Sequence, residues 1–416
     1  MLEPDYLKVP LASSGLRDQD IKSAIEVLNS GNLTMGDQVK KFESAMASYL
    51  GSKYFVMVNS GSSANLAMIE AAVRPVRSKP SLLPGDGVLV PAIAWPTTVW
   101  PILQLGLKPV FVDVDASTLA IDLELAQDVI NSSPIPIRGL FPIHVLGRGL
   151  STDDLESFAR KNELLLINDV CESLGSWDGN RHAGLGGAGG SFSFYFSHHI
   201  TTMEGGGIAT NDSEIADDLR SIRSHGWSRD RSDAATWVPD NADMNSKFLF
   251  VSTGFNIRPM EIQAAIGLNQ IRDIDLFISR RRELAKLVND AISGSQLELI
   301  GADRITGTEI DKQHSWMMLP IRVAENSAID LKTSLIQYLE LHGIETRPVL
   351  TGNFLAQPAM KRINVSGYDQ NVFSSANDVA KRTFLIGAHH DFSNEQMNHI
   401  AECLRYFILN NDLMTV

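Results

Sequence analysis

The sequence predicts an α/β protein, whose larger part is a three-layer domain built on a parallel sheet. Short apolar runs at 88–90, 110–114 and 164–167 are separated by segments of helical length. Such alternation is typical of parallel strands, because joining them requires a long crossover connection that is usually a helix. Ligands of this kind of sheet gather where the strands end.

A second, smaller α/β domain is predicted for the C-terminal part of the chain. A chain of 416 residues is long enough for two domains. Residues 316–323 have the apolar composition of a strand, and residues 329–341 have the spacing of a helix. We therefore divide the chain into a large domain of residues 1–270 and a small domain of residues 271–416.

The composition excludes several classes of protein. The net charge of −13 argues against non-specific nucleic-acid binding, which requires a basic surface. Cys171 and Cys403 are too few for a disulfide framework. The chain has no apolar run of the roughly 18 residues that a membrane span requires, and its start lacks the apolar core of a signal peptide. We therefore expect a cytoplasmic protein that binds neither membranes nor nucleic acid.

A candidate phosphate site follows the apolar strand predicted at 54–58. The strand runs into a turn rich in Gly and Ser, which includes Gly61, Ser62 and Ser63, and a helix is predicted at 66–73. Backbone N–H groups and the positive end of a helix dipole favour an anion at such a place. Because serine-rich helix caps are common, this pattern alone is a weak indication of function.

Two further candidates follow predicted strands. Trp95 comes after the strand at 88–90, and Asp169 comes after the strand at 164–167. A tryptophan is more often part of a core than a platform for a cofactor. A carboxylate past a buried strand must be paired or hydrogen-bonded to remain charged, and a helix N-cap is the simplest reason for it.

The segment 191–210, SFSFYFSHHITTMEGGGIAT, is the centre of the predicted site. It begins as a strand with small polar residues on one side and then reaches His198 and His199. Adjacent histidines on a loop that leaves a buried strand are suited to proton transfer, because imidazole titrates near neutral pH. We predict no metal site here, since the neighbouring residues offer no further ligands at a usable spacing.

The segment 191–210 resembles the active-site segment of the DegT/DnrJ/EryC1/StrS family of sugar aminotransferases. The resemblance rests on Ile-Thr-Thr at 200–202 and Glu-Gly-Gly at 204–206, and the segment 254–267 is similar to a second motif of the family. It implies the type I fold of enzymes that use pyridoxal phosphate (PLP), which is similar to aspartate aminotransferase. In this alignment His198 replaces the lysine that forms a Schiff base with PLP. The His-His pair resembles the nucleotide-sugar 3-dehydratase branch.

The resemblance also implies which residues hold the cofactor. They are Gly61, Ser62, Ser63 and Ser193 at its phosphate, Trp95 on the ring face, Asp169 at the ring nitrogen and Glu172 near the ring hydroxyl. A carboxylate at the protonated nitrogen keeps the ring an electron sink. Asn256 is expected to reach the cofactor phosphate of a partner subunit, which implies a homodimer.

A histidine in place of the lysine implies a reaction other than transamination. Imidazole cannot form a stable Schiff base, but it can transfer protons near pH 7. The resemblance therefore implies a dehydratase that holds pyridoxamine phosphate (PMP) non-covalently and removes the C3 hydroxyl of a nucleotide-linked 4-keto-6-deoxy sugar. His198 is the expected base, and glutamate is the expected amino donor that regenerates PMP. Lipopolysaccharide O-antigen is one expected destination of such a deoxysugar.

A second branch that shares the histidine adds a [2Fe–2S] cluster and a reductase partner. Such a cluster generally needs four cysteine ligands, and this chain has two cysteines far apart in sequence. We therefore expect no iron–sulfur cluster. The base of the nucleotide stays open among GDP, CDP and TDP, although resemblance to the cluster-free branch favours GDP.

Four polar side chains are predicted to contact the substrate: His199, Arg223, Arg229 and Arg347. Arginine offers forked donors to phosphate oxygens. The arginines between 220 and 231 are equally compatible with a solvated helix end, where cations suit the helix dipole. For Arg347 a structural salt bridge is nearly as good an interpretation as contact with a carboxylate or a sugar.

Two other functions remain compatible with the sequence. An aminotransferase could have moved its lysine, and Lys247 is the candidate for that role. A PLP-binding protein without catalysis could serve as a sensor or scaffold. Retention of Trp95, Asp169, Ser193 and Asn256 together favours cofactor binding in either case.

Overall fold

The structure is a computed structural model that describes residues 7–414 apart from residues 242, 326, 328–329 and 364–369. The α-helices are α1 (Asp18–Ser30), α2 (Asp37–Leu50), α3 (Gly61–Val73), α4 (Pro96–Gln104), α5 (Leu123–Ser132), α6 (Thr152–Lys161), α7 (Ser213–Ile222), α8 (Glu261–Gln270), α9 (Ile274–Ile292), α10 (Leu331–Leu341), α11 (Pro358–Arg362), α12 (Ser374–Arg382) and α13 (Asn394–Asn410). None of these helices combines the length and the apolar character needed to cross a bilayer.

The strands form one large sheet, one smaller sheet and a short hairpin. They are β1 (Tyr54–Val58), β2 (Gly87–Pro91), β3 (Lys108–Val112), β4 (Ile137–Leu140), β5 (Leu165–Leu166), β6 (Asn168–Asp169), β7 (Trp177–Asp178), β8 (Arg181–His182), β9 (Gly190–Ser193), β10 (Gly206–Thr210), β11 (Leu297–Leu299), β12 (Met318–Val323), β13 (Thr346–Pro348) and β14 (Thr383–Gly387). The hairpin consists of β7 and β8.

The large sheet combines two four-stranded sheets, β3-β2-β4-β5 and β6-β9-β10-β1, which we treat as one because only Ile167 separates β5 from β6. The pairs from β3 to β5 are parallel, as predicted for the runs at 88–90, 110–114 and 164–167, and the pair β6–β9 is parallel as well. β10, for which the sequence analysis predicts no pairing, runs antiparallel to both β1 and β9. β10 follows β9 after a short loop, and a connection of that length can return only as an antiparallel strand.

Helices cover both faces of the large sheet. Val88 and Val90 point into a core that includes α3 and α4 residues, whereas Leu89 between them packs with Leu155 and Ala159 of α6. Because successive side chains of a strand point to opposite faces, a continuous apolar run such as β2 is buried on both sides. The result is the three-layer arrangement that the sequence predicts.

The smaller sheet has the order β11-β12-β14-β13 and all of its pairs are antiparallel. Its core includes Leu319 and Ile321 of β12, together with Leu404 of α13. Val9 belongs to the same core, and its N–H group donates to Gly343 O at 2.8 Å. We call this sheet and the residues of its core the small unit; it includes Val9 in addition to residues after 271, where the sequence analysis places the second domain.

The aromatic core below the segment 191–210 rests on Phe42, which is fully buried in α2. Its ring lies 5.3 Å from that of Phe194 and 6.4 Å from that of Phe55, centroid to centroid. A Cβ atom on Gly267 of α8 would lie 2.6 Å from the Phe42 ring, so the two helices approach closely there. Phe42 therefore joins α2, α8 and the strand end that leads to His198.

We expect Phe42→Ala to lower the free energy of unfolding by about 3–5 kcal/mol, because it leaves a cavity in a close-packed core. Urea-induced unfolding of the purified protein measures this change. Tyr406→Ala is the matched control, since Tyr406 is an exposed aromatic residue on α13. Equal losses in the two variants would contradict the role given to Phe42.

Candidate active site

The predicted site residues come together because most strands of the large sheet end at the same edge. β1 leads into the N-terminus of α3, and β2 leads to Trp95 at the start of α4. β6 ends at Asp169, and β9 ends at Ser193. A cavity of about 590 Å³ opens at this edge, and residues of the β12 and β13 region close its other side.

The N-terminus of α3 and Ser193 form one wall of the cavity. Ser60 caps the helix, since its Oγ accepts the N–H of Ser63 at 3.1 Å. Ser60, Gly61, Ser62 and Ser193 all line the cavity, whereas Ser63 serves the cap. The first N–H groups of a helix have no partner within it, so this wall suits an anion.

Gly61 is required by a close approach of α3 to the end of β9. A Cβ atom at this position would lie 2.5 Å from Ser193 Cβ and 3.1 Å from Cys171 Sγ. These distances are shorter than van der Waals contact, and Ser193 is on a buried strand. A larger residue at 61 would therefore push the helix away from Ser193 and widen the anion site.

Asp169 is a buried carboxylate with both oxygens hydrogen-bonded. Its Oδ2 accepts from Asn65 Nδ2 at 2.8 Å and from Thr98 Oγ1 at 2.7 Å, and its Oδ1 accepts from the Cys171 N–H at 3.1 Å. In the part of the chain that the structure describes, no lysine or arginine pairs with it. A buried carboxylate with neutral donors alone favours a cation brought by a ligand.

Glu172 lies in the same cavity, and its Oε2 accepts the N–H of Leu146 at 2.8 Å. Burial raises the pKa of this carboxyl to about 7, while the Leu146 N–H and the charge of Arg347 oppose the rise. Leu146 has a positive φ of 51°, an unfavourable conformation for a branched residue that turns its N–H toward Glu172. Glu172 can therefore change its charge near neutral pH.

His198 lies on the turn that follows β9 and lines the cavity. Its N–H donates to Tyr195 O at 2.9 Å, and its carbonyl accepts from Arg281 Nη2 at 3.0 Å. Burial, with smaller contributions from the cations Arg281 and Arg347, lowers the pKa of the imidazole to about 3. His198 is therefore neutral at physiological pH and can accept a proton.

Among the charged side chains that line the cavity, acidic ones predominate. Its lining carboxylates are Asp169, Glu172, Glu204 and Glu345, and Arg347 is the single arginine or lysine among the lining residues that the structure describes. Burial raises the pKa of Glu204. Arg347 comes from β13 of the smaller sheet. This sheet therefore supplies the cation of a cavity in which Asp169, Glu172 and Glu204 come from the region of the large sheet.

Two of the predicted substrate contacts do not fit the structure. His199 is fully buried, and its Nε2 lies 3.2 Å from Ser315 O, on the side away from the cavity. Arg223 is buried in an ion pair with Glu43 at 2.6 Å and donates to Met57 O. In the sequence each of these residues has the polarity of a solvent-facing or ligand-binding side chain. In the structure each is buried and bonded to another part of the chain.

Arg229, Asn256 and Lys247 also lie outside the cavity, but they are exposed. The guanidinium of Arg229 packs over the Trp227 ring at 4.0 Å. The Oδ1 of Asn256 accepts from Arg258 Nε at 3.0 Å. No lysine lines the cavity among the described residues, so Lys247 does not replace the missing lysine within its own chain.

Sequence reasoning missed the residues that support Asp169. Asn65 is on α3, one turn after Gly61, and it accepts a hydrogen bond from Ser191 Oγ. Thr98 is on the first turn of α4, three residues after Trp95. The sequence does show a polar residue about one helical turn after each of two candidate binding residues, Gly61 and Trp95. Their partner on another strand was not visible without the fold.

Comparisons with known proteins agree with this geometry. Residues 15–405 match the DegT/DnrJ/EryC1/StrS aminotransferase family. The GDP-4-keto-6-deoxy-D-mannose 3-dehydratase of Escherichia coli O55:H7 is 35% identical over 401 residues, which cover 96% of this chain and all of that protein. The enzyme of the same name from Yersinia pseudotuberculosis is 34% identical and covers 96% of this chain and 98% of its own.

A solved structure supports the same relationship. The E. coli GDP-4-keto-6-deoxy-D-mannose-3-dehydratase with bound hydrated PLP superposes with a TM-score of 0.82 at 34% identity, covering 96% of this chain and all of the other. The family match extends over nearly the whole sequence and so includes nearly all of the residues that line the cavity. This chain therefore belongs to the DegT/DnrJ/EryC1/StrS aminotransferase family.

Proposed function

We propose that this protein is a PLP/PMP-dependent nucleotide-sugar 3-dehydratase. Its substrate is a nucleotide-linked 4-keto-6-deoxyhexose, with GDP-4-keto-6-deoxymannose as the first candidate, and it removes the hydroxyl at C3. The observation that carries this proposal is a cofactor cavity in which a neutral imidazole, His198, stands where the family has its lysine. Relatives at 34–35% identity bear the name of this activity.

The residues of the cavity fit the cofactor. The N-terminus of α3 and Ser193 suit its phosphate, and the carboxylate of Asp169, which has no cation of its own, suits a protonated ring nitrogen. Trp95 lies half-exposed at the cavity, where its ring can cover the cofactor ring. Bound PMP supplies an amine for the 4-keto group and an electron-withdrawing ring.

His198 moves the protons of the reaction. In its neutral form it accepts a proton from the carbon that carries the cofactor amine. As an imidazolium it then donates that proton to the C3 hydroxyl, which leaves as water. A second base is not required if both positions lie on the face of the cofactor that His198 covers.

Arg347 is suited to the anionic groups that enter this acidic cavity. As the arginine that lines it, Arg347 can pair with a carboxylate of glutamate, the amino donor, and with polar groups of the sugar in the other half of the cycle. Glu172 lies beside it and is expected near the ring hydroxyl of the cofactor. The product is a deoxysugar such as those of lipopolysaccharide O-antigens.

We further propose a homodimer in which Asn256 completes the site of the partner subunit. Asn256 is exposed and does not line the cavity of its own chain. Met260, four residues after Asn256, is an exposed apolar side chain. A β-bridge between Met260 and Thr34 brings it near a second one, Leu33. An exposed apolar stripe on α1 adds to them and consists of Ile21, Ile25 and Leu28. Such a surface suits burial against a second copy.

The direct test is a product assay with GDP-4-keto-6-deoxymannose, PLP and glutamate, read by mass spectrometry. We expect loss of the C3 oxygen that depends on glutamate, and a rate at least about 100-fold lower in His198→Asn, since general base catalysis contributes roughly that much. His399→Asn is the matched control, because His399 lies on α13 and binds His342 O.

Three results of this assay would refute the proposal or a part of it. An amino group gained at C4 would make the protein an aminotransferase. Full activity in His198→Asn would remove the role given to this histidine. If GDP-, CDP- and TDP-linked 4-keto sugars all remained unchanged, the dehydratase function itself would be wrong.

We expect Gly61→Ala to weaken the binding of PLP at least about ten-fold, because the added methyl group overpacks the contact with Ser193. Titration of the apoprotein with PLP, followed by absorbance, measures the affinity. Gly51→Ala is the control, since a Cβ atom there meets nothing within 4 Å and its backbone strain arises far from the cavity. Unchanged PLP affinity in Gly61→Ala would contradict the cradle.

Mixed dimers test the composite site. His198→Asn and Asn256→Ala subunits are each expected to form impaired homodimers, whereas a mixed dimer contains one intact site. Random mixing is then expected to restore roughly a quarter of the wild-type activity. No recovery, in a preparation that different affinity tags on the two subunits show to contain mixed dimers, would place Asn256 in its own site or in none.

A further inference from the structure

Arg281 of α9 is a fully buried arginine that joins the segment carrying His198 to the small unit. Its Nη2 donates to His198 O at 3.0 Å. Its Nη1 donates to Met317 O at 3.0 Å and also to Trp316 O and Ala388 O. These carbonyls belong to three separate parts of the chain, so one guanidinium fixes the position of the His198 backbone relative to β12 and β14.

The charge of Arg281 is not neutralised by an ion pair. Among the described residues, no carboxylate lies within ion-pair distance of it, and its Nε has no hydrogen-bond partner. Asp391 acts on it only at longer range, and burial lowers the pKa of the guanidinium to about 9. A buried charge without an ion-pair partner is costly, and its field can be used to set the charge of neighbouring groups.

The cavity in front of His198 explains that use. Its lining includes the side chains of Glu172, Glu204 and Glu345, and an ionised carboxylate favours the charged form of a nearby imidazole. An imidazolium could not accept a proton at the start of the reaction. Arg281 does not line the cavity and donates to the carbonyl of His198. Its positive charge disfavours the imidazolium form of that residue and lowers its pKa.

We propose that Arg281 is a positioning residue for His198, which holds its carbonyl and keeps its imidazole in the neutral, proton-accepting form. The part that concerns proton transfer rests on the proposed dehydratase function. The part that concerns the charge state of His198 does not, because it follows from contacts and charges within this chain.

Other titratable and charged groups lie around the same two residues and define what the test must control. Tyr195, Glu172, Glu345 and Arg347 line the cavity with His198, and His199, His389, His390 and Asp391 lie on the side of α9. Burial and Arg281 lower the pKa of the three neighbouring histidines, so they are neutral near pH 7. Arg281 is therefore the principal cation behind His198.

The test measures the protonation of His198 directly, in the PLP-loaded protein without substrate. NMR of ¹³Cε1-labelled histidine over pH 5 to 8.5 follows each imidazole, and His198→Asn identifies the signal of His198. We expect a signal that stays neutral in the wild-type protein. In Arg281→Gln, which loses the charge but keeps an NH₂ donor, we expect the midpoint to rise from about 3 by about two units, so that protonation of His198 becomes visible at the acidic end of this range.

Two further variants separate the charge of Arg281 from its packing. Arg281→Lys keeps the charge and is expected to leave His198 neutral over the whole range. Arg280→Met removes a charge from the surface side of the same helix, where Arg280 pairs with Glu283, and is expected to have no effect. If Arg281→Gln left His198 as neutral as in the wild type, or if Arg281→Lys protonated it, the proposal would be wrong.

The pH dependence of the half-reaction with glutamate, followed by cofactor absorbance, tests the consequence for proton transfer. The acidic limb of the rate is expected to move to higher pH in Arg281→Gln by the shift seen in the NMR titration, and to overlay the wild type in Arg280→Met. If Arg281→Gln does not fold, Arg281→Lys decides, because a protonated His198 in that variant contradicts the proposal. A wild-type protein that removes no C3 hydroxyl would refute the dehydratase function without changing the NMR result.

Discussion

The hydrogen bonds of Asp169 are the interaction on which the site depends. They tie the end of β6 to α3 through Asn65 and to α4 through Thr98. Ser191 of β9 joins the same group through Asn65. Because these elements begin or end at one edge of the sheet, a single buried carboxylate sets the distances between the anion cradle, the Trp95 platform and the strand that leads to His198.

Much of this arrangement can be predicted from local sequence. Apolar runs such as 54–58 and 88–90 are strands almost as predicted, because composition alone determines that they are buried. The sequence places the start of α3 five residues late, since Ser and Gly favour turns in isolation whereas here the cap at Ser60 starts the helix. The residues that line the cavity follow from motif order, which locates strand ends in this fold.

Partners from distant parts of the chain could not be predicted. His199 and Arg223 have the polarity of binding residues, yet Ser315 and Glu43 satisfy them inside the protein. Arg281 is indistinguishable among three consecutive arginines, because only the fold decides which of them is turned inward. Charge state is equally non-local, since the neutral form of His198 depends on burial and on cations from α9 and β13.

The pairing of Val9 with the small unit affects the order in which this enzyme can be assembled. Val9 exchanges hydrogen bonds with Gly343 and Glu345, and its neighbours Leu11 and Ala12 form part of the cavity wall. During synthesis on the ribosome the segment at 9–12 leaves the exit tunnel more than 300 residues before the strand that receives it. The last wall of the active site therefore closes only after translation has passed Glu345, so the cavity is complete only in a chain that is nearly finished.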